Sequence, residues 1–316
     1  MNFPHRAGHC SQQPTGYKAF IPAPLQPVPP IAYSGELQTL LSAADRDIGR
    51  LDAIAALLPN PDLFVAMYVR HEAVLSSQIE GTQSTLEDVL AFEAEATHND
   101  TPWDVDEVVN YVRAMNHGLR RLDGNFPLSL RLVREIHAEL MQKVRGSEKS
   151  PGEFRTSQNW IGGSGSTLRD ASFIPPPPHE LMAALGQLEV FLHQARDQVP
   201  LLVRWALAHA QFETIHHFLD GNGRVGRLLI TLMLCEAGAL SRPLLYLSPR
   251  RPPQHGSQKR QSPGAAGPPA APAHRVHQAQ QSPQLLRLRL RLRLRLRYHC
   301  PQAPAPPRTS TPMPKP

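Results

Sequence analysis

The chain has 316 residues, with 33 Lys and Arg, 27 Asp and Glu, and three cysteines, enough for one large domain or two small ones. No apolar run is long enough to span a bilayer, and the N-terminus lacks the apolar core of a secretory signal; Cys10, Cys235 and Cys300, an odd and scattered set, argue against a disulfide framework or zinc site and fit a reducing cytoplasm. The formal charge of +6 does not mark a nucleic-acid-binding body, because thirteen basic residues and no acidic ones lie in 249–316, which leaves residues 1–248 at −7.

Residues 1–34, rich in Pro, Gln and His, read as an irregular arm. From Leu37 the apolar positions 37, 40, 41, 44, 48, 51, 55 and 58 follow helical spacing with one buried stripe. Pro59-Asn60-Pro61 breaks that helix, and Asn60 can cap the next with Pro61 at its first position. The second helix runs through Leu63, Phe64, Met67, Val74 and Leu75 to Ile79-Glu80, with Gly81 suited to its C-terminal end. Ser76 and Glu80 share a face. In isolation Glu80 reads as a solvated carboxylate, but a negative charge at a helix C-terminus opposes the dipole, so a basic partner from elsewhere is expected. Ser84 or Thr85 caps a shorter helix, and Trp103 to Leu122 and Leu128 to Leu140 form two more. His137 reads as an ordinary, partly buried histidine.

Between Gly152 and Pro178 the pattern changes. Asn159–Gly163 and Ala171–Pro175 read as two short strands, the one clear β signal in the chain. Such a hairpin is marginal alone and must lie on the helical body. It is either a decorative surface hairpin or a flap whose free edge, at Ile161, Gly162, Gly163, Phe173 and Ile174, can pair with an extended peptide. Helical spacing returns from Leu181 to Leu192 and from Leu201 to Phe212, and a strongly apolar helix runs through Leu228–Leu234 to near Gly238.

His216-His217-Phe218-Leu219-Asp220-Gly221-Asn222-Gly223-Arg224-Val225-Gly226-Arg227 joins the last two helices. Gly221 and Gly223 permit a tight turn, and the first turn of the following helix directs N–H groups at an anion. Arg224 and Arg227 share a helix face and can both reach phosphate oxygens. Asp220 supplies an oxygen ligand for a hard cation. His216 has an ordinary pKa of about 6.5, which suits proton abstraction near neutrality. Each piece alone is common turn or cap chemistry; together, between two buried helices, they mark a phosphate site.

The pattern His-x-Phe-x-Asp-Gly-Asn-Gly-Arg-x-x-Arg at 216–227 resembles the signature of the Fic family of protein adenylyltransferases. Residues 76–81 resemble that family's inhibitory Ser/Thr-x-x-x-Glu-Gly motif, and 155–178 its flap. The resemblance implies an all-α fold, a Fic-type helical core with a small β-hairpin flap, followed here by a disordered C-terminal tail. It implies transfer of AMP from ATP, with Mg²⁺, to a Tyr, Ser or Thr hydroxyl of a target protein. On it, His216 deprotonates the hydroxyl and Asp220 binds Mg²⁺. Gly221, Asn222 and Gly223 hold the α- and β-phosphates, Arg224 the β-phosphate and Arg227 the γ-phosphate, with Val225 and Gly226 in the same phosphate-binding turn. Glu80, with Ser76, pairs Arg227 and blocks the productive γ-phosphate pose, and the flap holds the target by main-chain pairing. His217 receives no role. A homodimer is compatible with this reading; a membrane is not, and nucleic acid enters only through the basic tail.

The expected segments are the arm, an N-terminal helical segment over 35–100 carrying the inhibitory motif, a catalytic core over 101–248, and a tail over 249–316. At Pro249 helical periodicity stops, and the tail carries fifteen prolines and an Arg-Leu alternation from Arg287 to Arg297. That switch reads as a change of frame or an unrelated extension. Two other functions stay open from sequence. The same site could remove AMP, with Glu80 orienting water, or the core could bind nucleotide without catalysis while the tail binds nucleic acid or an anionic surface.

Overall fold

A computed structural model describes residues 6–94, 104–163, 165–195, 199–245 and 247–248. The expected tail and Trp103 lie outside them. The described residues form eight α-helices and one two-stranded sheet, an all-α fold. None of the described helices is long and apolar enough to cross a membrane.

Local signals set most helix starts. In α1 (Gly35–Ala56), Ser34 accepts from Leu37 N–H at 3.4 Å, and Leu41, Ala44, Ile48, Leu51 and Ala55 form the buried stripe. In α2 (Pro61–Ile79), the Asn60 side chain accepts from Leu63 N–H at 3.0 Å, with Pro61 opening the helix. Glu80 caps the C-terminal end of α2, and Gly81 follows at φ 105°. Thr85 caps α3 (Leu86–Glu93) in a reciprocal box with Asp88. Ser84 instead donates to buried Asp104, which also accepts Gln83 N–H at 2.5 Å and so ties the loop after α2 to the start of α4 (Val105–Asp123).

The remaining helices are α5 (Leu130–Leu140), α6 (Pro178–His193), α7 (Leu201–Ile215) and α8 (Asn222–Glu236). All eight contribute to one apolar core. Helix α8 lies at its centre, packed on α2, α4, α5 and α7. A Cβ on Gly118 of α4 would come within 2.6 Å of Leu232 Cδ1, so the glycine lets the Leu232 side chain of α8 pack directly on the α4 backbone. Burying an apolar side chain such as Leu232 stabilises the fold by roughly 2 kcal/mol, which fixes α8 as a rigid base for the turn that precedes it.

Two β expectations change. The arm is not irregular: β1 (Gly8–Gln12) and β2 (Lys18–Pro22) pair antiparallel, with Cys10 opposite Phe20. The signal was Pro14-Thr15-Gly16, a turn tripeptide; Gly16 adopts φ 91° and donates to Gln13 C=O at 3.0 Å. Cys235 is free. The flap, expected as two strands, is a single antiparallel bridge between Ile161 and Phe173. Gly162 and Gly163 on one side and Pro175–Pro178 on the other stop it from lengthening.

Candidate active site

Helix α7 ends at Ile215, and His216 takes the left-handed conformation, φ 47° and ψ 59°. A non-glycine residue there costs roughly 1–3 kcal/mol and persists only when its surroundings hold it. The His216 carbonyl accepts from Arg155 Nε at 2.9 Å and from Asn159 Nδ2 at 3.0 Å. The Arg155 guanidinium is itself buried and also donates to the carbonyls of Ser157 and Pro176. Burial pushes its pKa down to about 10, where it remains a cation at neutral pH.

The turn is built on two further clamps. Asn222 accepts Phe218 N–H at 2.9 Å and donates to Phe218 C=O at 2.8 Å. Phe218 is fully buried and stacks on His137 at 3.6 Å between ring centroids. His137 Nδ1 accepts Gly152 N–H at 2.8 Å, so its other nitrogen, 3.2 Å from Asp220 C=O, carries the proton and donates. His137 therefore props the Asp220 end of the loop, a role beyond the ordinary buried histidine read from sequence. Burial lowers its pKa to about 4. His217 is wholly buried among Phe154, Phe212 and Phe218 and is held neutral by desolvation.

The His216 ring is half-buried, with Nδ1 enclosed. Its pKa falls to about 4, first through desolvation and then through the Arg155 charge, against the opposing pull of a Glu213 backbone contact, Glu80 and Asp220. A neutral imidazole with an open nitrogen is the form a general base needs.

The start of α8 is an open anion site. Its N-cap, Gly221, has φ 74° and no side chain caps the helix. A carboxylate already sits there: Glu80 Oε1 lies 2.7 Å from where a Cβ on Gly223 would be. The same oxygen accepts from Arg227 Nη2 at 2.7 Å. Arg227 also donates to Ser76 Oγ at 2.6 Å and Ser76 C=O at 3.1 Å. The structure thus brings together Ser76 and Glu80 from the first motif with Gly223 and Arg227 from the second. It also supplies the basic partner that the position of Glu80 on α2 demanded.

Arg224 is placed differently. Its guanidinium is buried, 3.1 Å from Glu107 Oε2 and 3.8 Å from Asp220 Oδ1. Burial raises the Glu107 pKa, against the lowering effect of Arg224 and Arg145. Asp220 accepts from Lys149 Nζ at 2.8 Å and from Gly221 N–H at 2.7 Å. Burial would raise its pKa, but these contacts and Arg224 bring it below the usual carboxylate range. Among the described residues no group of three or more His, Cys, Asp and Glu could hold a metal ion alone. A single ionised carboxylate beside an anion cradle does fit a hard cation that takes its remaining ligands from phosphate oxygens and water.

Several sequence-assigned residues do not face this cradle with their side chains. The Asn222 amide is spent on Phe218, so it shapes the turn. Val225 is fully buried and its N–H donates to Gly221 C=O at 3.0 Å, which leaves nothing for a phosphate. Gly226 lies inside α8 against α7, where a Cβ would come within 2.1 Å of Glu213 Oε1; its absent side chain serves helix packing. In the flap, Ile161, Gly162 and Gly163 are exposed, but Ile174 is buried in a small cluster with Ala19 and Ala171.

The sequence matches the Fic/DOC family N-terminal profile over residues 38–120 and the Fic/DOC family profile over 127–234. The chain belongs to the Fic/DOC family. It is 31% identical over 160 residues to a protein adenylyltransferase Fic of Culex quinquefasciatus, a match covering 50% of this chain and 29% of that protein. The chain therefore spans under a third of the length of the curated Fic relatives it matches. The fold is shared with a Fic family protein from Desulfovibrio desulfuricans G20, at TM-score 0.55 and 24% identity over 68% of this chain and 63% of that one. A Fic domain containing signaling protein from Bacteroides thetaiotaomicron VPI-5482 aligns at TM-score 0.51 and 21% identity, over 61% and 73% of the two chains. Both Fic/DOC profiles include the residues of the site: Ser76 and Glu80 in the first, His216 to Arg227 in the second.

Proposed function

We propose that this chain is a protein adenylyltransferase whose own Glu80 holds the active site closed. The observation that carries the reading is the placement of Glu80: it occupies the start of α8 over Gly223 and ties up Arg227, the arginine an incoming triphosphate needs. The relatives named adenylyltransferases support the reaction class.

ATP is the substrate. The uncapped N–H groups of the first α8 turn bind its phosphates, and Arg227 engages the γ-phosphate once Glu80 has withdrawn. Arg224, charge-balanced by Glu107, adds a fixed positive potential beneath the cradle. Mg²⁺, held through Asp220, would neutralise phosphate oxygens and the pyrophosphate leaving group. An extended target segment pairs with the flap and presents a Tyr, Ser or Thr hydroxyl to His216. His216 takes the hydroxyl proton while the oxygen bonds to the α-phosphorus and the bond to pyrophosphate breaks. The desolvated imidazole is neutral before the step, and Arg155 and Asn159 hold its backbone in place through it.

The test is mass spectrometry of Glu80→Gly protein incubated with ATP and Mg²⁺, alone and with cell lysate. A gain of one AMP on the protein itself or on a lysate protein is the expected result. No AMP adduct on any protein, with ATP binding intact, overturns the reading.

A further inference from the structure

The N-terminal hairpin lies along the flap, and the hydrogen-bond pattern fixes which edge it covers. Ile161 N–H donates to Phe173 C=O at 2.8 Å, and Phe173 N–H donates to Ile161 C=O at 3.1 Å. In such an antiparallel pair both residues spend their backbone groups on each other, and the neighbours on each strand point the opposite way. Ile174 therefore faces away from the 159–163 strand, and its carbonyl accepts Phe20 N–H of β2 at 2.9 Å. Side chains reinforce the join. Ala19 is fully buried against Ala171 and Ile174, the Phe20 and Phe173 rings meet at 5.9 Å, and Tyr17 Oη donates to Gln158 Oε1 at 3.0 Å. Gln211 on α7 donates to Ala23 C=O at 3.1 Å and anchors the end of β2 to the body.

The lateral order is thus β1, β2, the 171–175 segment and the 159–163 segment. By the same alternation, the N–H and C=O of Trp160 and Gly162 point outward from the last of these. Trp160 and Ile161 are 40% and 41% exposed there. This edge begins one residue after Asn159, whose amide holds the carbonyls of His216 and Phe218 at 3.0 Å each.

We propose that the N-terminal hairpin is a built-in pair of strands that orders the flap by closing its 171–175 edge, so that Trp160–Gly162 is the edge left open. A one-bridge flap has too little pairing to hold its own shape. Two strands tethered to α7 supply the missing neighbours.

Two variants of the full chain test this. In hydrogen-exchange mass spectrometry, Ala19→Arg forces a charge into the buried join and lifts the hairpin. Exchange at the 159–163 and 171–175 amides then rises about tenfold or more while the α8 amides are unchanged. Tyr17→Phe, which removes one hydrogen bond and cannot unfold the body, raises exchange at the same peptides by a smaller factor. Flap exchange that stays at the wild-type rate while exchange in the hairpin rises overturns the ordering role, whatever the enzymology.

Discussion

Arg224 and Arg227 lie one turn apart on α8, and the fold uses them differently. Arg224 faces Glu107, with both side chains nearly inaccessible, at 3% and 2% exposure. Arg227 is almost as buried, but its carboxylate partner, Glu80, is 37% exposed and sits on a helix cap instead of within a helix. A charge pair closed off on both sides is a fixed part of the structure, because breaking it strands a buried ion. A pair with one solvated end can trade that end for another anion at small cost. On the function proposed above, one arginine would set a permanent potential under the phosphate cradle, and its neighbour would be the exchangeable contact through which the site opens.

The largest effect that would break this comparison lies at Glu107. Glu107→Gln leaves Arg224 buried with only Asp220 near, at 3.8 Å, and should lower unfolding free energy by about 3 kcal/mol or more. Urea denaturation measures it; a change under about 1 kcal/mol would make the Arg224 pair as dispensable as a surface bridge.

Next in size is the acid response of the loop both arginines support. His137 and His216 have pKa values of about 4 in the folded chain, and His217 is also lowered. Each is near 6.5 when unfolded. Between those values the unfolded chain binds more protons, so stability is fully present above about pH 6.5 and declines as the pH falls toward 4. The slope is up to about 1.4 kcal/mol per pH unit for each histidine. His137→Gln, which retains a donor toward Asp220, should flatten the slope by one histidine; an unchanged slope would show that His137 is not neutral in the fold.

Asn222→Ala removes both clamps on Phe218 and should cost roughly 1–3 kcal/mol, read as a lower Tm. The smallest stability effect belongs to Glu80→Gly. It removes a half-exposed partner and should change unfolding free energy by less than about 1 kcal/mol. A loss as large as that of Glu107→Gln would mean that the Glu80 pair is structural and the contrast between the arginines false.

The sequence made legible whatever depends on neighbours a few residues apart. Asn60-Pro61 and Thr85 act as the caps they resemble, and the stripe from Leu41 to Ala55 is buried as its spacing requires. Glu80 betrayed its partner through its unfavourable place on the α2 dipole. What stayed hidden depends on residues brought together over long stretches of chain. Glu107 looks like an ordinary acidic residue in a first helical turn, yet it balances Arg224, 117 residues away. Arg155 and Asn159 reach His216 from the flap, and His137 reaches Asp220 from α5, with no local mark of either task. The arm hairpin was masked by prolines that cluster around its strands, and its partner, the flap, holds too few pairs to form strands of its own.

The most direct test of the central claim is the rate of AMP incorporation from labelled ATP and Mg²⁺, compared between wild type, Glu80→Gly and Glu80→Gly/His216→Ala. The account predicts strong labelling in Glu80→Gly, far weaker labelling in wild type, and a fall of about 100-fold or more when His216 is also removed. Equal rates in wild type and Glu80→Gly, or labelling that survives the loss of His216, would contradict it.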